Sequence, residues 1–401
     1  MFDNYEIDKF FEDKDMSTNT KGNNPRFVDQ KCTPDVVSFI ADCIINLSKR
    51  TFDRNDIWKS EYFAKNATLV FGKPSPKNKN VSNEYDKFIS QPLDLFSYAE
   101  LLEKKKVGVK NEYTIVNYEM LEFIALKDKN ALVFLYSYLS KILKDSGFYK
   151  YIKNFLKKKD KESFAILKEK FIRFLISTYN LGAKGSSNGG EVEARRIFSK
   201  VINVFAFFNS SNGSIKGNIS KGIILYTDLV YNRVNFRDVD KLKNVARKEK
   251  KGTIFKSSYK YNEFLINKAK QWVKKHHPLS EVKGDLYGNG KTDAIHHIFP
   301  KSEFPEISAY IENLIALTSG QHWTNAHPNG KTHIISKEYQ IVCLNANSKD
   351  IEKDIKNGVV GYSKHNFIFV LNTGFCKKVE IPLGVDFKEI NKYIDLYYKI
   401  S

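Results

Sequence analysis

Between residues 121 and 208, apolar side chains recur at steps of three and four, a period that restricts this stretch to a largely helical build. Leu121, Ile124, Ala125, Leu132, Leu135, Leu139, Ile142 and Leu143 form one stripe. Phe164, Leu167, Phe171, Phe174 and Leu175 form a second, and Ile197, Val201, Val204, Phe205 and Phe208 a third. Such a stripe is the face a helix buries, so these residues read as core. The Gly/Ser-rich stretches 182–190 and 209–217 punctuate the pattern as loops, and 71–80, rich in Pro, Lys and Asn, reads as an exposed loop. Further along, 222–226 leans to strand, 259–277 to helix, 284–290 to loop, 365–371 to strand and 387–398 to a closing helix.

At 401 residues the chain is long enough for two or three domains, each with its own core. The expected class is α+β. A mixed region, 1–115, precedes a helical region, 116–255; a compact module, 256–340, follows, and then a small α/β extension, 341–401. No apolar run is long enough to span a bilayer and the first residues lack a signal-peptide layout, so the expected compartment is cytoplasmic, with no membrane partner. The four cysteines show no CxxC spacing and read as free thiols. A formal charge of +19 attracts polyanions but does not by itself separate general solubility from nucleic-acid binding. The same ambiguity holds for the basic run with Lys241, Lys243, Arg247, Lys248, Lys250 and Lys251, a solvated linker or a phosphate-tracking segment.

The chemistry concentrates in 292–330. Four of the eight histidines, His296, His297, His322 and His327, fall there, with Asn313 between the pairs. Phosphodiester hydrolysis needs a base that takes a proton from water near neutral pH, and imidazole, with a pKa of about 6.5, suits that role. It also needs charge stabilisation at the phosphorus and the leaving oxygen, which a divalent cation held by neutral imidazoles supplies. Adjacent histidines on a strand point to opposite faces, so one can meet a metal while the other meets water. An amide such as Asn313 can fix a turn or orient an imidazole. Satisfied surface histidines or a purely structural zinc site are the competing readings. His276, His277 and His333 read as ordinary polar residues.

This segment resembles the HNH, or ββα-metal, nucleases. Their pattern runs through a His-His pair near the end of one strand, an Asn-Leu segment in the next, and a histidine on a following helix. Here those places hold His296-His297, Asn313-Leu314-Ile315-Ala316-Leu317 and His322, nine positions beyond Asn313. The resemblance implies one divalent ion per site, with Mg2+ expected and Mn2+, Ni2+ or Zn2+ as alternatives. It implies His296 and His322 as ligands, His297 as general base, and Asn313 as the residue that buttresses the loop and orients the base. Two departures stand out. Thr318 and Gln321 replace the cysteines of the zinc knuckle that many members carry, and Ala326 stands where colicin-type members have a third ligand, so that His327, one position later, is an open candidate for metal, phosphate contact or helix packing.

Beyond the motif, the 93–102 segment, Tyr231-Asn232-Arg233-Val234-Asn235-Phe236-Arg237-Asp238 and the block from His296 to Gly330 look like bacterial type II restriction endonucleases of the HNH class, of the kind that cut to one side of a short asymmetric site. That resemblance implies double-stranded DNA as substrate, recognition by the region before the nuclease module, a cognate DNA methyltransferase, and a homodimer or successive nicks for double-strand cutting. Arg54, Asn55, Arg195, Arg196, Arg233 and Arg237 are candidate base readers, because Arg and Asn make bidentate contacts to base edges; ion pairs or plain surface roles compete for each. A non-specific or toxin-type nuclease and a non-catalytic DNA-binding scaffold are the alternative functions.

Overall fold

The computed structural model describes residues 4–20, 27–71, 76, 82–179, 189–231, 247–327, 335–376 and 378–400. The chain divides into two compact units, Phe2–Ser257 and Ser258–Ser401. The described residues make an α+β protein in which helices dominate and the strands form three small antiparallel sheets. Among them no helix is long and apolar enough to cross a membrane.

The first unit holds helices α1 (Asn4–Glu12), α2 (Pro34–Asn46), α3 (Arg54–Lys59), α4 (Glu61–Phe71), α5 (Ser82–Tyr98), α6 (Tyr118–Leu126), α7 (Asp128–Asp145), α8 (Tyr149–Lys158), α9 (Lys161–Tyr179), α10 (Gly189–Phe208) and α11 (Tyr226–Leu229). Strands β1 (Thr51–Asp53), β2 (Leu102–Val107) and β3 (Lys110–Ile115) pair in the order β1-β3-β2. A hairpin, β4 (Asn212–Ile215) with β5 (Asn218–Ile223), follows α10.

Helix α2 is buried from Pro34 to Ile44, its polar positions satisfied internally, with Ser38 donating to the Ala125 carbonyl at 3.2 Å and Asp42 accepting from the Tyr62 hydroxyl at 2.6 Å, and Pro34 in its first turn supplies a φ already suited to a helix start. Aromatic rings fill the space around it. Phe39, Phe63, Tyr85 and Phe88 are 2% exposed or less, and Phe63 meets Tyr85 edge to face at 5.6 Å. The 121–143 stripe forms two helices rather than one. Lys127 takes an extended conformation, α6 ends there and α7 begins, with the Asn117 side chain capping α6 by accepting from the Met120 N–H at 2.9 Å.

The second unit holds the later part of α12 (Arg247–His276), the hairpin β6 (Ala294–His297) and β7 (Leu314–Leu317), and helices α13 (Lys337–Lys356), α14 (Lys364–Gly374) and α15 (Phe387–Ile400). The 365–371 run expected as a strand is helix α14. Phe367, Ile368, Val370, Leu371 and Phe375 are buried at helical spacing, and Ser363 caps the start by accepting from the Asn366 N–H at 3.2 Å. Phe369, 41% exposed, puts an apolar side chain on the solvent face, so the short run shows no polar break and no helical period. The 222–226 run also divides: β5 stops at Ile223 and α11 opens at Tyr226.

The expected boundary at 115/116 lies inside the first unit, and that at 340/341 cuts through α13. The segment 341–401 is therefore no appendage; it builds the surroundings of the hairpin. Glu312, fully buried, accepts at Oε1 from the Ser363 N–H and from Asn366 Nδ2, at 3.0 and 3.2 Å. Asn347 donates to the Glu312 carbonyl at 3.1 Å, and Gln340 donates to the Ile298 carbonyl at 2.6 Å. Most of the 71–80 loop, the stretches 182–188 and 232–238, Lys241, Lys243 and His333 lie outside the described residues.

Candidate metal centre

In the β6–β7 hairpin His296 stands opposite Ile315 and His297 opposite Leu314. Neighbours on a strand leave by opposite faces, so the tandem pair is divided between two environments. The His296 ring, 4% exposed, lies 5.4 Å from that of His322 and 4.9 Å from that of His327, centroid to centroid. His322 and His327 are 4.8 Å apart. One ring nitrogen from each of the three lies within 4.8 Å of the others.

His327 joins because of a backbone irregularity. After β7 the chain winds into a π-helical turn, Gln321–Ala326, in which the His327 N–H donates to the His322 carbonyl at 3.2 Å. A π turn pairs residue i with i+5 rather than i+4, and the residue five positions on takes the place that the fourth would occupy in an α-helix. Ala326, at the fourth position, is instead buried in the core. Gln321, fully buried, pins the turn: its Oε1 accepts from Ser280 Oγ and from the Thr318 N–H, and its Nε2 donates to the Val282 carbonyl at 2.7 Å.

Burial pushes the pKa of His296 well below the usual imidazole value, with His327 and His322 adding to the shift. Burial, then His327 and Lys270, lowers that of His322. Both rings are therefore neutral near pH 7 and offer lone pairs. His322 Nδ1 is buried without a hydrogen-bond partner. Three clustered imidazoles, one of them with a buried orphan nitrogen, are the donor chemistry of a divalent-ion site of borderline softness, and these residues fit such an ion.

His297 occupies the other face. Its Nε2 lies 3.0 Å from the Ser308 carbonyl. A carbonyl only accepts, so Nε2 carries the proton and Nδ1 is left with its lone pair. Burial, with Lys270 adding, lowers the His297 pKa to about 4.

Asn313 does not orient this ring directly. Its amide accepts from the Phe299 N–H at 2.9 Å and donates to the carbonyls of Phe299 and Ile307 at 3.1 and 3.4 Å, closing the loop between the two strands. The loop in turn carries Ser308. Asn313 thus makes no contact with the His297 ring, because its side chain is fully buried between loop backbone groups.

Lys270, on α12, was not singled out from the sequence. Half-buried, with its pKa lowered by burial and by Lys301, it lies close enough to act electrostatically on His296, His297 and His322. A lysine in a helix carries no signature that spacing could reveal. His277, an ordinary polar residue by sequence, sits in a second cluster with Glu281 and Asp350.

The candidate base readers belong to the first unit. Arg54 pairs with Asp86, Arg195 pairs with Glu191 at 2.6 Å along α10, and Arg196 is exposed. Asn55 follows Arg54 on α3, while Arg233 and Arg237 fall outside the described residues. No family model, curated protein or solved structure matches the chain.

Proposed function

We propose that this chain is a metal-dependent endonuclease of the HNH kind, which hydrolyses double-stranded DNA at a defined site. The observation that carries the reading is the division of the tandem pair: His296 faces two further imidazoles, while His297, on the other face, is held by Ser308 with its Nδ1 available. His296, His322 and His327 would hold the metal, which when bound polarises the phosphate and stabilises the leaving oxygen. His297 takes the proton from the attacking water, and the Ser308 carbonyl keeps the ring in the tautomer that can accept it. Asn313 holds the loop that places Ser308. Lys270 and Lys301 add positive charge beside the scissile phosphate.

Mg2+ prefers oxygen donors, so three imidazole ligands favour Zn2+, Ni2+ or Mn2+ over Mg2+. One site cuts one strand, and double-strand cleavage then calls for two copies or two successive nicks. Incubating purified protein with plasmid and each of these ions gives discrete fragments on this reading. A smear at every enzyme level removes site specificity, and intact plasmid with all four ions removes the nuclease assignment.

A further inference from the structure

The second cluster lies at the outer edge of β7, apart from the three clustered imidazoles and sharing no residue with them. His277 follows the end of α12, Glu281 sits on the next loop and Asp350 on α13, and each offers a ligand atom within 4.8 Å of the others. Asp354, one turn beyond Asp350, approaches His277 Nε2 at 3.7 Å.

Glu281 is the informative member. It is 6% exposed and aligned along the edge of β7 like a third strand: its N–H donates to the Ala316 carbonyl at 3.0 Å, and its Oε2 accepts from the Ala316 N–H at 2.6 Å. The other oxygen, Oε1, is buried with no hydrogen-bond partner and lies 3.8 Å from His277 Nδ1. An unpartnered carboxylate oxygen in the interior is costly unless a cation or a donor meets it. The charged neighbours that act on Glu281 are themselves carboxylates, Asp350 and Asp354. Exposed Lys283, Lys349 and Lys353 act on Asp350 from the solvent side. The fully buried Tyr362 hydroxyl, 2.9 Å from His277 Nε2, occupies that nitrogen and leaves Nδ1 turned towards Glu281.

We propose that His277 Nδ1, Glu281 Oε1 and an Asp350 oxygen form a second, structural divalent-metal site that takes a borderline ion such as Zn2+. The donor set is mixed nitrogen and oxygen, with Tyr362 as the outer partner that orients the imidazole. An ion about 2.1 Å from each ligand needs donors within about 4.2 Å of one another. The His277–Glu281 spacing already satisfies that, and the widest separation closes by some tenths of an ångström. The ion would clamp the end of α12, the loop and α13 onto the strand that carries Asn313's neighbours.

The test uses the full chain and Zn2+ alone, and it does not depend on the nuclease reading. A His296→Ala, His322→Ala double variant removes the first cluster. Stripped of metal and titrated with Zn2+ by calorimetry and native mass spectrometry, it should bind one equivalent and melt at a higher temperature with Zn2+ than without. Adding Asp350→Asn should weaken that uptake at least tenfold. The wild-type chain should bind two equivalents, and Asp350→Asn alone one, so a double variant that fails to fold leaves the count decisive. Glu281→Gln repeats the comparison at the buried ligand. One equivalent in the wild type and in Asp350→Asn alike would overturn the proposal, with water filling the cluster instead.

Discussion

At the scale of single residues, two adjacent and chemically identical side chains are separated in role by strand alternation alone. His296 meets other imidazoles; His297 meets a carbonyl. On the proposed function, His297→Ala should lower plasmid nicking about 100-fold or more while leaving Zn2+ affinity intact. His322→Ala should lose both nicking and the Zn2+ uptake of that site. Calorimetry beside a nicking assay separates the two, and unchanged nicking by the His297 variant would reassign the base. Asn313 is different in kind, since it touches only backbone. Asn313→Ala leaves the buried N–H and carbonyl of Phe299 unpaired, each at about 1–3 kcal/mol, while the Ile307 carbonyl keeps the Tyr310 N–H. Urea denaturation should show that loss, accompanied by reduced nicking as the Ser308 carbonyl drifts from His297.

At the scale of elements, the π turn and the helix termini position what the residues do. His327 reaches the cluster through an i, i+5 pairing, so the turn rather than the residue type makes it a ligand candidate. Helix α14 approaches the hairpin loop closely at Gly374, where an added Cβ would come 2.3 Å from Phe299 Cε1. Gly374→Ala should cost about 1–3 kcal/mol by overpacking, read as a shift in the urea midpoint, and should disturb the same loop that Asn313 holds. In the first unit, α3 starts with a reciprocal cap between Asp53 and Asp56. The Lys49 ammonium, then the Asp53 N–H, holds the Asp56 carboxyl below its ordinary value of 3.8. A carboxylate with a depressed folded pKa contributes stability that is present above the unfolded value and lost as pH falls through the folded one. Asp56→Asn should therefore be less stable than wild type at pH 6, with the gap closing towards pH 3 in paired denaturation curves.

At the scale of the whole molecule, the charge of +19 and the cluster of three imidazoles are separable contributions on the proposed function. Phosphate neutralisation releases counterions whether or not catalysis occurs. Chelation should then abolish cutting and leave DNA binding that weakens steeply between about 50 and 200 mM salt. Filter binding in EDTA checks this, and salt-independent retention would contradict the electrostatic account.

The amino-acid order alone marks the three helical stripes, because amphipathic periodicity is local, and it singles out His296, His297, Asn313 and His322 by type and spacing. It does not resolve the features that depend on backbone winding or on distant segments. The place of His327 follows from a π turn, that of Lys270 from the course of α12, and the Ser308 carbonyl has no side-chain signature at all. Helix α14 lacks a readable period because its exposed face carries Phe369, which leaves the run apolar throughout, and His277, Glu281 and Asp350 come within 4.8 Å only when α13 folds against β7. Local periodicity is written in neighbouring residues, whereas convergence of side chains from 277 to 350 is a property of packing, which no single window of sequence contains.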